Sequence, residues 1–145
     1  MIYPVPFRAE HLQGLEMQRA QEWTRDWLSV ADQKTLEGPL SSTLMDDGKP
    51  LVCAGAVAFT EHRALLWTFL GDDVTARNFR VVHRWAKDFL RSLKFRRIEA
   101  TTEMDFMQGH RWLKALGFKR EDKSGMTAFG VDGKAHALYA LIKDG

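Results

Sequence analysis

Apolar residues recur in two rhythms along this chain, and the stretch from Ala64 to Phe118 holds both. Ala64-Leu65-Leu66-Trp67-Thr68-Phe69-Leu70 is a continuous apolar run, the pattern of a strand buried on both faces. Gly71-Asp72-Asp73 breaks it. A helical pattern is predicted from about Thr75 to Lys94, with Phe79, Val82, Ala86, Phe89 and Leu93 three and four residues apart on one stripe. Arg97 to Thr101 reads as the next strand, and Gln108 to Leu116 as a helix stopped by Gly117. A strand, helix and strand in this order form a parallel crossover.

The flanks follow the same logic. Ile2 to Arg8 is predicted as a first strand, confined to a sheet edge by Pro4 and Pro6, which cannot donate to a ladder. Ala9 to Glu22 is helical in pattern, with Leu12, Leu15 and Met17 among its apolar positions and Gly14 as a weak point. Trp23 to Leu36 continues as a second helix, with Trp27, Val30 and Ala31 turned inward, until Gly38-Pro39 ends it. Ser41 to Met45 and Pro50 to Phe59 read as strands joined by Asp46-Asp47-Gly48-Lys49, whose Asp-Gly pair is a strong hairpin signal. Glu61-His62-Arg63 turns the chain into the Ala64 strand. After Gly117, strands are predicted at Phe118–Glu121, Met126–Phe129 and Ala135–Ile142, with turns at Lys123-Ser124-Gly125 and Val131-Asp132-Gly133-Lys134.

Composition narrows the class. A chain of 145 residues with 45% hydrophobic and 28% charged residues fits one globular domain. Its net charge of +2 does not by itself call for nucleic acid. A single cysteine, Cys53, rules out an internal disulfide and fits a reducing compartment. Met1-Ile2-Tyr3-Pro4 is followed by no apolar run, so a signal peptide is not expected there, and no run approaches the roughly 18 apolar residues of a membrane span. The five histidines, His11, His62, His83, His110 and His136, lack metal-ligand spacing, so no metal site is expected. Hydrolase elbows and nucleotide-binding loops of the Walker kind are missing.

The order βααββ, βαβα, ββ resembles the GCN5-related N-acetyltransferase (GNAT) family over essentially the whole chain. The residues that carry the likeness are Val5-Pro6-Phe7-Arg8 as first strand, the Asp47-Gly48 hairpin, and Trp112-Leu113-Lys114-Ala115-Leu116-Gly117-Phe118 as a helix end. Arg111 to Phe118 is also similar to a segment of small GNAT-like internal virion proteins of short-tailed phages. The resemblance implies an α/β fold with a mixed, mostly antiparallel sheet of six to seven strands flanked by helices. It further implies a cytoplasmic N-acyltransferase that moves an acyl group from acetyl-CoA to a primary amine of a small molecule or protein. The alternative it leaves open is an inactive phage protein, working in the virion or host cytoplasm, that has lost the cofactor.

In that family the coenzyme is gripped by a glycine-patterned turn before the long helix, where N–H groups meet the pyrophosphate. Here the corresponding stretch is Leu70-Gly71-Asp72-Asp73-Val74-Thr75-Ala76-Arg77-Asn78, and the glycine pattern is missing. Asp72 or Asp73 is expected to cap the helix and so to repel a phosphate there, with Arg77 and Arg80 compensating. The family's tyrosine acid is replaced by Leu113, its asparagine by Phe106, and Tyr139 lies in the last strand. Candidate bases are Glu99, His62 and Glu103, with His110 expected to face solvent. Arg77, Arg80, Arg84, Lys87, Arg91 and Lys94 make a basic stripe on the long helix. That stripe suits solvent, an acidic protein partner, a phosphate-bearing ligand or nucleic acid. Trp67 and Trp112 are expected in the core, and Trp23 and Trp27 in the core or at an acceptor cleft.

Overall fold

The computed structural model describes residues 1–15 and 30–144. Seven strands form one sheet in the order β1-β2-β3-β4-β5-β7-β6. The strands are β1 (Ile2–Pro6), β2 (Ser41–Asp46), β3 (Lys49–Ala58), β4 (Arg63–Leu70), β5 (Arg97–Glu103), β6 (Lys119–Arg120) and β7 (His136–Ile142). The helices are α1 (Glu10–Gly14), α2 (Val30–Thr35), α3 (Phe79–Ser92) and α4 (Met107–Ala115). Met17, Trp23, Trp27 and the helix expected around them lie outside the described residues, as do the side chains of Val30 and Ala31. Among the described residues, no helix is long and apolar enough to cross a membrane.

The residues group into two compact units, Met1–Val57 with Trp67–Leu93 and Ala58–Leu66 with Lys94–Gly145. In the first, β1 pairs antiparallel with β2 from Ile2↔Asp46 to Pro6↔Ser42, at the end of the strand order, where its two prolines are harmless. The β2–β3 hairpin closes on Asp47 (φ 48°) and Gly48 (φ 83°), both left-handed, as a two-residue primed turn requires. Its core gathers Phe7, Leu12, Leu15, Cys53 and Phe69, with Leu36 and Trp67 against them. The Trp67 ring meets Phe7 edge-on at 5.1 Å and lies where any Cβ on Gly55 would come within 2.3 Å of it. Glycine at position 55 is therefore the space that the indole occupies.

Two helix readings change. The pattern-predicted helix from Thr75 begins at Phe79, with Asn78 at its N-cap position. Its inward stripe is Val82, Ala86 and Leu90, while Phe79 is 39% exposed and Phe89 only half-buried. The first helix stops at Gly14, where Leu15 turns extended (ψ 120°) and drops into the core.

In the second unit, β5 lies between two neighbours. It pairs antiparallel with β7 along its whole length, from Arg97↔Ile142 to Glu103↔His136. Its register with β4 is parallel and covers Arg63↔Arg97, Ala64↔Ile98 and Leu65↔Glu99. Helix α4 ends as its sequence requires: Gly117 takes φ 100°, its N–H reaches Lys114 O at 3.0 Å, and the Phe118 N–H reaches Leu113 O at 3.0 Å. Gly109 lets the helix approach β5, since a Cβ there would lie 2.3 Å from Thr102 Oγ1. The strand expected at Met126–Phe129 is a loop. Only Met126 bridges to His136, and Ala128 takes φ 55°, which no strand residue can.

Candidate functional site

In the first unit the stretch after β4 is a closed turn. Gly71 N–H bonds Leu51 O at 2.9 Å, and Val74 N–H bonds Gly71 O at 3.2 Å. Asn78 shapes the rest. Its Oδ1 accepts the Thr75 N–H at 2.8 Å and its Nδ2 donates to Asp73 O at 2.8 Å. Its own N–H bonds Thr75 O at 3.2 Å. Four N–H groups of this turn, those of residues 71, 74, 75 and 78, are thus engaged by the protein itself. The acidic residues do not cap the helix, which corrects the expectation for Asp72 and Asp73. Both precede the N-cap by five residues or more, and Asp73 pairs with Lys49 Nζ at 3.1 Å. Leu70 and Gly71 are buried, whereas Asp72, Thr75, Arg77 and Arg80 are exposed.

This arrangement fits a phosphate-bearing coenzyme in one respect only. Arg77 and Arg80 are exposed guanidinium groups that can take phosphate oxygens two at a time. Four of the turn's backbone donors are already used, so the two arginines would carry much of the hold on the group. An asparagine at the helix start also brings no charge to repel it.

In the second unit Glu99 is the most constrained of the expected bases. Buried to 6% exposure, it takes Arg63 through two hydrogen bonds, one of them Nη2 to Oε1 at 3.1 Å, and Arg97 Nε at 2.9 Å. Arg97 reaches on to Glu121 Oε2 at 3.0 Å. Bonds from Arg63 first, and then Arg97, overcome burial and hold the Glu99 carboxyl at about 2. A carboxylate held that low is a poor proton acceptor near neutrality. Its bond to Arg63 ties β5 to β4 within their parallel register. His62 stands in the exposed turn before β4, against the neighbouring Glu61 carboxylate at 3.1 Å.

The carboxyl end of β5 carries different chemistry: the sequence candidate Glu103 stands there, together with His136, which the sequence pattern missed. Ligands of parallel strands gather at that end. Glu103 is its last residue, 8% exposed, and is registered opposite His136, the first residue of β7. His136 is 7% exposed, and neither ring nitrogen has a hydrogen-bond partner among the described residues. Phe129 lies 5.4 Å from the ring, and a Cβ on Gly130 would come within 2.8 Å of Nε2. Burial pushes the His136 pKa down, against the opposing pull of the Glu103 and Asp132 charges. The result is a neutral imidazole with an unused lone pair. The signal in the sequence was faint: a histidine opening a strand directly after a turn rich in aspartate and glycine.

His110, expected in solvent, is buried at 5% exposure. Its Nε2 faces the carbonyls of Met104 at 2.9 Å and Glu103 at 3.2 Å, so it carries the proton. Nδ1 then accepts from the Tyr139 hydroxyl at 2.7 Å. Tyr139 is wholly buried, and Leu113 is 8% exposed in the same interior. Among the described residues no group of side chains could hold a metal ion.

Comparison with solved structures gives the class. The chain has the GNAT fold. The ribosomal-protein-S18-alanine N-acetyltransferase from Escherichia coli superposes with a TM-score of 0.76 at 16% identity, covering 100% of this chain and 97% of that one. A GNAT-family acetyltransferase from Bacillus anthracis gives 0.67 at 12% identity, over 97% and 94% of the two chains. The yncA protein of Salmonella typhimurium, solved with its cofactor acetyl-CoA, gives 0.71 at 11% identity, over 99% and 94%. No protein-family model and no curated protein matches the sequence.

Proposed function

We propose that this protein is an acyl-CoA-dependent N-acyltransferase acting on a primary amine. The observation that carries the reading is fold likeness over the full chain to N-acetyltransferases, including one solved with acetyl-CoA. Arg77 and Arg80 would hold the coenzyme phosphates, with Leu70 to Asp73 and Thr75 as the adjoining wall. Within the second unit, His136, which joins the sequence candidate His62, is a better proton acceptor than Glu99, whose carboxyl is held at about 2. It takes a proton from the incoming ammonium, which leaves a neutral amine able to attack a carbonyl. Glu103 steadies the imidazolium that forms. The thioester, when bound, supplies the acyl group, and its thiol leaves without a strong acid because thiols ionise near pH 8.5. That removes the need for a tyrosine at position 113. Phe129 and Gly130 must shift from over the ring to admit the amine. The hydrogen bonds of that loop tip run within it, from Gly130 N–H to Lys134 O at 3.0 Å and Gly133 N–H to Gly130 O at 2.8 Å.

A thiol-release assay with acetyl-CoA and a panel of primary amines tests the reaction. The wild-type protein is expected to release thiol with at least one amine, and H136Q to lose roughly 100-fold or more in kcat. Equal turnover by the two proteins would remove His136 from the reaction. A second reading, a GNAT-fold protein that works through its surface without acyl transfer, is favoured by one observation: four of the turn's N–H groups are already bonded within the protein. Thiol release with none of the amines, from folded protein, would favour it.

A further inference from the structure

The unit that carries α3 has a second surface, which shares only Arg80 with the proposed coenzyme residues. Along the exposed side of α3 runs a shallow groove of about 420 Å³ lined by Arg80, His83, Arg84, Lys87, Asp88 and Arg91. The opposite side of the helix is buried through Val82, Ala86 and Leu90, so the basic row is fixed outward. Asp88 is its one carboxylate and bonds Arg91 at 3.1 Å. Arg80, Arg84 and Lys87 have no counter-charge among the described residues. Six cations stand between Arg77 and Lys94 in a chain whose total charge is only +2. Charge is thus concentrated on this helix and balanced elsewhere.

We propose that this face of α3 binds the phosphodiester backbone of nucleic acid. The occupant follows from what lines the groove. Protein-binding hot spots set aromatic and arginine anchors into well-packed, desolvated pockets, and this groove is open to solvent. Here the only ring is His83, and the exposed apolar residues of the helix, Phe79 and Val81, lie outside the lining. What remains is a row of mostly guanidinium groups, which pair with phosphate bidentately. From Arg80 to Arg91 the helix rises about 16 Å. A DNA strand places a charge about every 3.4 Å, so the row spans on the order of five phosphates. Such contacts hold the backbone and read no base, so binding is independent of sequence.

Fluorescence anisotropy with a labelled 20-base-pair duplex and the matching single strand, titrated between 50 and 200 mM salt, tests this. About four neutralised phosphates predict a log–log slope near −3.6 on duplex, hence a loss of affinity on the order of 100-fold across that range. The double variant R84Q/K87Q should lower the slope by about two, with unchanged circular dichroism. Affinity that is insensitive to salt, or equal in the double variant, would overturn the proposal. Polyglutamate of matched charge is the competitor; if it bound as tightly as DNA, the nucleic-acid assignment would fall in favour of an acidic protein.

Discussion

Glu99 and His136 divide the work that the sequence could not divide. Both are buried and polar, yet one is bonded by two arginines and the ring nitrogens of the other have no hydrogen-bond partner among the described residues. Removing the charge in E99Q leaves Arg63 and Arg97 facing a neutral amide. The expected cost is about 2 kcal/mol, or a fall in Tm of about 4–8 °C, read by thermal unfolding. An unchanged Tm would mean the ion pairs are screened away. The two groups also set opposite edges of pH stability. Glu99 is depressed from 4.5 to about 2, so its contribution is complete above pH 4.5 and is lost as pH falls toward 2. His136 lies below its ordinary 6.5, so the unfolded chain takes up its proton first and stability declines as pH drops below about 6.5. In H136Q, urea unfolding across pH 5–7 should show a flatter decline; a slope equal to wild type would contradict the burial argument. Neither fate was legible in sequence. Spacing reports which residues share a strand, but not which cations come to meet them from β4 or which loop closes above them.

Elements were legible where their cause is local. The Asp47-Gly48 turn and the Gly117 helix end depend on residues within a few positions, and both form as the pattern demands. G48A must place an alanine at φ 83°, costing about 1 kcal/mol, or a Tm lower by about 2–4 °C. A variant as stable as wild type would mean the turn relaxes to another type. Elements were misread where a side chain intervenes. Apolar periodicity carried α3 back to Thr75, but Asn78 bonds Thr75 N–H and Asp73 O and holds that segment as a turn. Met126 to Phe129 has strand-forming residues, but after the bridge at Met126 the chain swings to a left-handed Ala128.

For the whole molecule, the crossover was readable because a parallel β4–α3–β5 connection admits few topologies, whereas the placing of β7 between β5 and β6 was not read from the sequence. The fold then places the candidate chemistry but does not guarantee it. What separates a working transferase from a fold relative is whether the turn at Gly71–Asn78, with four of its N–H groups already engaged, still accepts a coenzyme through Arg77 and Arg80. Isothermal titration with acetyl-CoA measures this directly. The account predicts one site with micromolar affinity, weakened about tenfold in R77Q and again in R80Q, or about 1.4 kcal/mol for each arginine. No heat and no thermal shift at millimolar acetyl-CoA, with the protein folded, would contradict it.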